Sequence, residues 1–288
     1  MNQTINLPSG DIAALTYGDK TKPPMLMLHG WLDNAASFAF LAPLLAEDYY
    51  VVAIDLPGHG DSTHLADTSD YQQIQTVETI IEVLDALGWE QCDLVGHSLG
   101  GAIGVLVAAS FPERIKHFVS IDAIGPMSET AANSPGRLAR SVKRIVKASQ
   151  QPERTYPDKD AMIKARMKAN GFTAEEALPI VNRSAKETDE GYVWRFDKKL
   201  LLPSLIYFTE DQVRAFLGAI SMPMLIIEAT HGILHKHPLI EERKQCIPNL
   251  TVEVLEGHHH IHLQQPEVVA GLIRAFLIKN GDTKPSAT

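Results

Sequence analysis

Short apolar segments alternate with helical patterns along the first third of this 288-residue chain. Apolar residues recur three or four positions apart in the helical patterns, and the strand-like runs end at Gly, Pro or Asp. The predicted strands comprise residues 12–17, 24–28, 50–54, 92–95 and 118–121, and the predicted helices comprise residues 37–45, 76–87 and 102–109. This alternation predicts an α/β fold with a mostly parallel sheet that is covered on both faces.

The pattern changes in the middle of the chain. Residues 125–221 contain predicted helices, but no strand-like apolar segments alternate with them. The predicted helices comprise residues 137–149, 160–169, 173–183 and 209–217. Alternation then returns, with strands at 224–228 and 251–255 and helices at 239–246 and 266–277. We therefore expect a core domain formed by residues 1–124 and 222–280, interrupted by a helical cap at 125–221 and followed by a disordered tail at 281–288.

These two parts of the chain differ in charge. Residues 125–221 carry 16 Lys and Arg against 12 Asp and Glu, a balance of +4, whereas the whole chain carries −9 and the remainder −13. This acidity argues against nucleic-acid partners, which usually require a basic face. The basic cap is expected to dock on the acidic core, and attraction of anionic substrates is the alternative.

The sequence favours a cytoplasmic protein without a membrane partner. Its N-terminus lacks the basic start and apolar run of a signal peptide, and no apolar stretch is long enough to span a bilayer. The two cysteines, Cys92 and Cys246, lack metal-ligand spacing and are interpreted as reduced thiols. Both a monomer and a homodimer remain open.

A Gly-x-Ser-x-Gly pattern at residues 96–100 follows one predicted strand and precedes a predicted helix of small residues. This is the context of a nucleophile elbow, where a serine sits on a strained turn that leaves little room for Cβ atoms. Ser98 is therefore the candidate nucleophile. The N–H of Leu99 at the helix start and the N–H of Trp31 in the loop after an earlier strand are the candidate oxyanion donors.

Four histidines lie between residues 258 and 262, just after the last predicted strand, where a loop can reach back to Ser98. A serine nucleophile needs such a base, and His258, His259 and His260 are the candidates. A metal site formed by this run with His231, His235 and His237 is the alternative. We consider it the weaker interpretation, because ligands bunched in one loop rarely give good geometry without carboxylate or Cys partners.

Four motifs occur in an order that resembles the α/β-hydrolase superfamily. They are His-Gly-Trp at 29–31, Asp-Leu-Pro-Gly-His-Gly-Asp-Ser at 55–62, Gly-His-Ser-Leu-Gly-Gly at 96–101, and Gly-x-His followed by Leu-x-x-Pro at 257–266. Residues 29–38 and the His-rich end particularly resemble its serine hydrolase-like and carboxylesterase branch. The resemblance implies a mostly parallel central sheet flanked by helices, with a helical cap between the sixth and seventh strands. It also implies His259 as the base, seven residues before Pro266.

The acid of the triad departs from the common pattern. Many members of the superfamily carry it as an Asp after the seventh strand, where this chain has Gly232. Asp122 offers a substitute at the end of the sixth strand, a position that some relatives use, including certain haloalkane dehalogenases. A carboxylate there can hold the His Nδ1–H group as well as one placed a strand further on. Glu228 is the rival candidate.

Other polar residues near these motifs have less specific roles. Asp33 and His29 are predicted to lie at the substrate pocket, although a supporting role for His29 and a solvated position for Asp33 are the alternatives. Asp55, His59 and Asp61 are expected to fix the shape of the Pro-Gly-His-Gly turn. The chemistry requires no metal and no organic cofactor.

Together these residues predict a serine hydrolase that cleaves carboxylic esters of small to medium acyl chains through an acyl-enzyme. Thioesterase, lactonase, C–C bond hydrolase and perhydrolase activities use the same triad and are alternatives. A receptor that keeps the fold and binds a small molecule without efficient turnover is a further alternative. The predicted partner is a small-molecule ester.

Overall fold

The computed structural model describes residues 1–66, 70–148 and 154–281. Eight strands form one sheet in the order β1-β2-β4-β3-β5-β6-β9-β10, and β7 and β8 form a separate hairpin. The strands are β1 (Asn2–Ile5), β2 (Ile12–Tyr17), β3 (Pro24–Leu28), β4 (Tyr50–Ile54), β5 (Cys92–His97), β6 (Ile115–Ile121), β7 (Ala185–Thr188), β8 (Gly191–Trp194), β9 (Met224–His231) and β10 (Leu250–His258). β2 pairs antiparallel with β1 and β4, and the other neighbours in the large sheet are parallel.

Helices cover both faces of this sheet, as the alternating pattern predicted. They are α1 (Leu41–Leu45), α2 (Gln73–Ala86), α3 (Leu99–Ser110), α4 (Ser134–Ala148), α5 (Lys159–Asn170), α6 (Ala174–Ser184), α7 (Glu210–Gly218), α8 (Ile240–Lys244), α9 (Ile261–Gln264) and α10 (Pro266–Lys279). Alternate residues of the strands point to two apolar cores, one with α2 and α3 and the other with α1 and α10. The α/β-hydrolase fold inferred from the motifs is confirmed.

The segment between β6 and β9 contains α4 to α7, which overlap the four predicted helices. It also contains the hairpin β7–β8, which corrects the expectation of a segment without strands. The hairpin forms because Gly191 takes a positive φ of 120° at its turn, and because Val193 has an apolar side chain that this hairpin buries. Position 149 of the first predicted helix and positions 282–288 of the predicted tail lie outside the described residues.

One predicted helix of the core is shorter than expected. Residues 37–45 were predicted as one helix, but the structure has a 3-10 turn at Ala35–Phe38 followed by α1. Asn34 caps the turn, its side chain accepting a hydrogen bond from the N–H of Ala36 at 2.9 Å. Within the described part of the chain, no helix has the length and apolarity that crossing a bilayer requires.

Candidate active site

The turn between β5 and α3 carries Ser98 in a strained backbone conformation. Its φ of 51° and ψ of −111° lie outside the regions that side chains with a Cβ atom favour. A Cβ atom at Gly96 would lie 2.4 Å from the carbonyl oxygen of Gly100, so this turn requires glycine where the two elements meet. The turn leaves Ser98 partly exposed at the carboxyl end of the sheet.

Two backbone N–H groups beside this turn are available to a ligand. Those of Leu99 and Trp31 donate no hydrogen bond to another described residue. The N–H of Gly100 donates to the carbonyl of His29 at 3.0 Å, which ties the Trp31 loop to the start of α3. The Trp31 indole donates to the carbonyl of Leu200 at 2.9 Å, so the same loop also contacts the inserted segment. The arrangement can stabilise an oxyanion.

Asp122 and His259 are in direct contact. The Nδ1 atom of His259 lies 2.5 Å from Oδ2 of Asp122, whose side chain is fully buried. The carboxylate also accepts hydrogen bonds from the N–H groups of Ile233 at 2.8 Å and Ala229 at 3.3 Å. This contact sets Nδ1 of His259 as the protonated nitrogen and leaves Nε2 as a proton acceptor.

The structure also explains why residue 232 is glycine. A Cβ atom at Gly232 would lie 2.2 Å from Oδ2 of Asp122, so the Asp122 carboxylate fills the space that a side chain from the later strand would need. The rival acid, Glu228, is buried and forms an ion pair with Nζ of Lys244 at 2.7 Å. Among these three positions, the contact with His259 is made by Asp122.

The three consecutive histidines at 258–260 each pair with a different carboxylate. Nε2 of His258 lies 3.2 Å from Oε1 of Glu176, a residue of α6. Nε2 of His260 lies 3.1 Å from Oδ2 of Asp33. His259 therefore differs from its neighbours, because its carboxylate partner directly follows β6, the strand that pairs with β5 and so ends beside the Ser98 turn.

Asp33 has a role that the sequence did not indicate. It was predicted at the pocket, but its side chain is buried and forms an ion pair with Arg166 of α5 in the inserted segment. Burial alone would raise the pKa of Asp33, but Arg166 and then His260 lower it far below the ordinary range. The ionised Asp33 thus joins the Trp31 loop to α5 and to the histidine loop. No sequence pattern marks Arg166 as its partner.

The histidines around Asp33 are held neutral. Burial lowers the pKa of His97 and His262 well below the ordinary value, and it lowers that of His260 despite the nearby carboxylate. The rings are close, with His97 centroids 4.3 Å from His262 and 4.7 Å from His259. Nε2 of His97 lies 3.1 Å from the carbonyl oxygen of His259, to which it donates. Neutral rings leave His259 free to gain a proton without like-charge repulsion.

His29 is enclosed in the core and not at an open surface. Its Nδ1–H donates to the carbonyl of Gly30 at 2.7 Å, and its Nε2 accepts from the N–H of Leu56 at 2.9 Å. Burial lowers the pKa of His29 to about 4, so the ring is neutral. With both nitrogens occupied, the ring supports the loop, which is the alternative role considered for His29.

The Pro-Gly-His-Gly turn is fixed in the way that the sequence suggested. The buried Asp55 carboxylate accepts hydrogen bonds from the N–H of Ala35 at 2.7 Å and of Asp61 at 2.8 Å. It also pairs with Arg183 of α6 at 2.8 Å. The Nδ1–H of His59 donates to the carbonyl of Pro57 at 3.0 Å within the turn. A second buried carboxylate therefore connects the core to the inserted segment.

One group of side chains has donor atoms as close together as in metal sites. Asp33, His97 and His260 bring such atoms within 4.8 Å of one another among the described residues. This group does not include His231, His235 or His237, the histidines of the metal alternative. Arg166 already supplies the positive charge beside Asp33. Within this group Nε2 of His260 forms a hydrogen bond with Asp33, whereas Nδ1 of His97 lies 3.9 Å from the same carboxylate.

Comparison with known proteins places this chain among proteins of the same fold. The family model for the alpha/beta hydrolase fold matches residues 23–266. The chain is 30% identical to a serine hydrolase-like protein of Danio rerio, over 94% of this chain and 86% of that protein. It is 32% identical to a probable serine hydrolase of Drosophila melanogaster, over 95% and 86% respectively.

Comparison with solved structures also shows a protein of the same fold. The crystal structure of a hypothetical protein from Pseudomonas aeruginosa PAO1 is similar with a TM-score of 0.91 and 32% identity, covering 96% of this chain and 99% of that one. The family match covers most of the chain, including Ser98, Asp122 and His259. The chain therefore belongs to the α/β-hydrolase family.

Proposed function

We propose that this protein is a serine hydrolase that cleaves carboxylic esters of small to medium acyl chains. The observation that carries the proposal is the 2.5 Å contact between Asp122 and His259, at the same end of the sheet as the strained Ser98 turn. Ser98, His259 and Asp122 then act as nucleophile, base and orienting acid. The similarity to the serine hydrolase-like protein of Danio rerio and the probable serine hydrolase of Drosophila melanogaster supports a serine hydrolase without specifying the ester.

The reaction follows from this assignment. The Ser98 hydroxyl attacks the ester carbonyl while Nε2 of His259 takes its proton, and a tetrahedral oxyanion forms. The N–H groups of Leu99 and Trp31 donate to this oxyanion. Collapse expels the alcohol, which receives the proton from His259, and leaves an acyl group on Ser98. Water then attacks the acyl-enzyme with His259 as base, and release of the acid restores the free serine.

The carboxylate of Asp122 is suited to the charge that develops in this cycle. His259 becomes an imidazolium in each transition state, and a buried carboxylate at 2.5 Å stabilises that cation. The Asp122 carboxylate accepts hydrogen bonds from two backbone N–H groups. Among the described residues, it forms no ion pair with an arginine or a lysine. Its negative charge is therefore available to His259.

The proposal is tested with p-nitrophenyl esters and a fluorophosphonate probe. Ser98→Ala should lower kcat/KM for p-nitrophenyl butyrate by at least about 10⁴-fold and abolish labelling, since the nucleophile is lost. Ser221→Ala is the matched control at an exposed serine and should behave as the unmodified protein. Turnover and labelling that survive in Ser98→Ala would disprove the assignment.

The same assays distinguish between the possible substrate classes. A series of p-nitrophenyl esters from acetate to laurate should give the highest kcat/KM at the short to medium chains. Preference for acyl thioesters or lactones at equal acyl length would replace the ester proposal but keep the triad. Labelling without turnover of any of these substrates would favour a binding protein that retains the fold.

A further inference from the structure

Helix α4 in the inserted segment has an unusual surface. Of its 15 residues only Ser141 is buried. Leu138, Val142 and Val146 are 48%, 45% and 57% exposed, and their spacing of four residues places them in one stripe. Five basic residues and no acidic residue lie on the same helix, and they are Arg137, Arg140, Lys143, Arg144 and Lys147. The helix therefore combines an apolar stripe with a basic flank.

The contacts that α4 makes with the described residues 129 and 204–207 lie on one side of the helix. The Ser141 hydroxyl donates to the carbonyl of Ser204 at 3.0 Å, and Arg137 pairs with Glu129 and lies 3.5 Å above the ring of Tyr207. Arg140 lies 3.6 Å from the same Glu129 carboxylate. These contacts hold one side of the helix against residues 204–207 and use the two arginines of its first turns.

The rest of the basic flank is not neutralised. Lys143, Arg144 and Lys147 are exposed, and no carboxylate of residues 1–66, 70–148 or 154–281 forms an ion pair with them. Two further exposed apolar side chains lie near the attachment of the helix. Ile206, beside the Tyr207 that Arg137 covers, is 63% exposed, and Met127, two residues before Glu129, is 65% exposed.

We propose that α4 binds the surface of an anionic lipid bilayer, with its apolar stripe at the headgroup boundary and its lysines and arginines on the lipid phosphates. An amphipathic helix with apolar residues on one side and basic residues on the other is the form that lies in a membrane interface. Anionic lipid complements its charge, and each basic residue near such a surface strengthens binding about five-fold.

Charge also opposes a symmetric contact between the α4 helices of two copies of the chain. Two α4 helices facing each other would bring ten basic residues together, and repulsion opposes that contact. The absence of a membrane partner predicted from the sequence rested on spanning segments, which a surface helix does not need. Binding through α4 is independent of the ester chemistry proposed for Ser98.

Sedimentation of the full chain with vesicles tests the proposal. We expect binding to vesicles of phosphatidylcholine with phosphatidylglycerol, little binding to phosphatidylcholine alone, and weaker binding as salt is raised. The triple variant Lys143→Glu, Arg144→Glu, Lys147→Glu should bind at least about tenfold more weakly. The double variant Leu138→Ser, Val142→Ser should also lose binding, because the apolar stripe no longer inserts.

Matched variants control for charge and for hydropathy. Lys159→Glu, Lys164→Glu, Lys168→Glu makes the same charge change at exposed positions of α5 in the same segment. Leu178→Ser with Val254→Ser removes two apolar side chains that are 46% and 57% exposed elsewhere. Both controls should bind as the unmodified protein does, and all variants should keep its circular dichroism spectrum.

Several results would overturn the proposal. Failure to bind anionic vesicles is the first, and equal binding to neutral vesicles is the second. A loss in the α5 variant as large as that in the α4 variant would show only general charge attraction. A dimer in sedimentation velocity that becomes a monomer in the Leu138→Ser, Val142→Ser variant would assign the stripe to a second copy. An α4 surface that binds only an acidic protein would exclude the lipid.

Discussion

Two buried carboxylates lie on either side of the histidine loop, and their surroundings differ. Asp122 contacts His259 and accepts hydrogen bonds from two backbone N–H groups. Asp33 contacts His260, the next residue of the loop, and also forms an ion pair with Arg166. Both side chains are at most 1% exposed, so burial does not distinguish them.

Because their partners differ, the two aspartates have different roles. The charge of Asp33 is balanced by an arginine of the inserted segment, so this pair joins the core to that segment. Among the described residues, the Asp122 carboxylate is contacted by two backbone N–H groups and by His259, with no arginine or lysine beside it. A carboxylate without a fixed cation can stabilise a cation that forms during a reaction. Adjacent histidines thus serve a structural contact and the proposed reaction.

The largest expected effect is on the Asp122 side. Asp122→Asn keeps the shape of the side chain but removes its charge and replaces one carboxylate oxygen with an NH2 group, which donates and does not accept. We expect kcat for p-nitrophenyl butyrate to fall about 10⁴-fold, as an amide in this place favours the wrong tautomer of the histidine. Steady-state kinetics at several pH values measure this loss.

Glu228→Gln is the matched control for that variant. It changes a buried carboxylate on the neighbouring strand that pairs with Lys244 and not with His259. Its kcat should stay within about tenfold of the unmodified protein, since no reacting group is touched. The reverse ranking of the two variants would move the acid to the later strand.

Substitution of Asp33 is expected to lower turnover less than substitution of Asp122 does, and to lower stability more. Asp33→Asn leaves Arg166 buried without a counter-charge, and the free energy of unfolding should fall by about 3–5 kcal/mol. Arg166→Met should cost a similar amount, and the double variant should cost less than the two single changes together. Urea unfolding of the four proteins measures this coupling.

An exposed ion pair provides the control for this double-mutant cycle of Asp33 and Arg166. Asp85 is 65% exposed and pairs with Arg114 at 2.7 Å, and Asp85→Asn should cost less than about 1 kcal/mol. The kcat of Asp33→Asn should fall less than that of Asp122→Asn. An equal loss of kcat in the two variants would remove the distinction between the two carboxylates.

The last expected effect concerns the pH dependence of stability and not turnover. Burial holds the pKa of His97 and His262 well below the ordinary value, so both are neutral in the folded protein and take up protons only when it unfolds. Their contribution to stability is therefore complete above about pH 6.5 and is lost as the pH falls, by about 1.4 kcal/mol per pH unit for each ring.

Urea unfolding between about pH 7 and about pH 5 tests this slope. His262→Phe removes one titrating ring and should reduce the slope by about 1.4 kcal/mol per pH unit, whatever it does to stability at neutral pH. An unchanged slope in His262→Phe would show that this ring is not held neutral by burial.

Local sequence determined much of the fold and of the Ser98 turn. Apolar strand runs and helical spacing need only neighbouring residues, so the alternation predicted the parallel sheet and its covering helices. The turn at Ser98 was predicted from residues 96–100, where Gly96 and Gly100 lack the Cβ atoms that would lie too close to the turn itself and to Leu28 of β3. Asp122 was proposed as the acid from its place at a strand end, next to the strand that leads to Ser98, and the structure brings it into contact with His259.

Tertiary structure decided the partners of residues that are far apart in the chain. Asp33 and Arg166 are separated by 133 positions, and Asp122 and His259 by 137. The sequence offered three adjacent histidines of one chemical type, and only the path of their loop assigns each to a different carboxylate. Hydrogen bonds and ion pairs act over a few ångströms, so the partner of a buried charge is fixed by how the chain folds and not by sequence spacing.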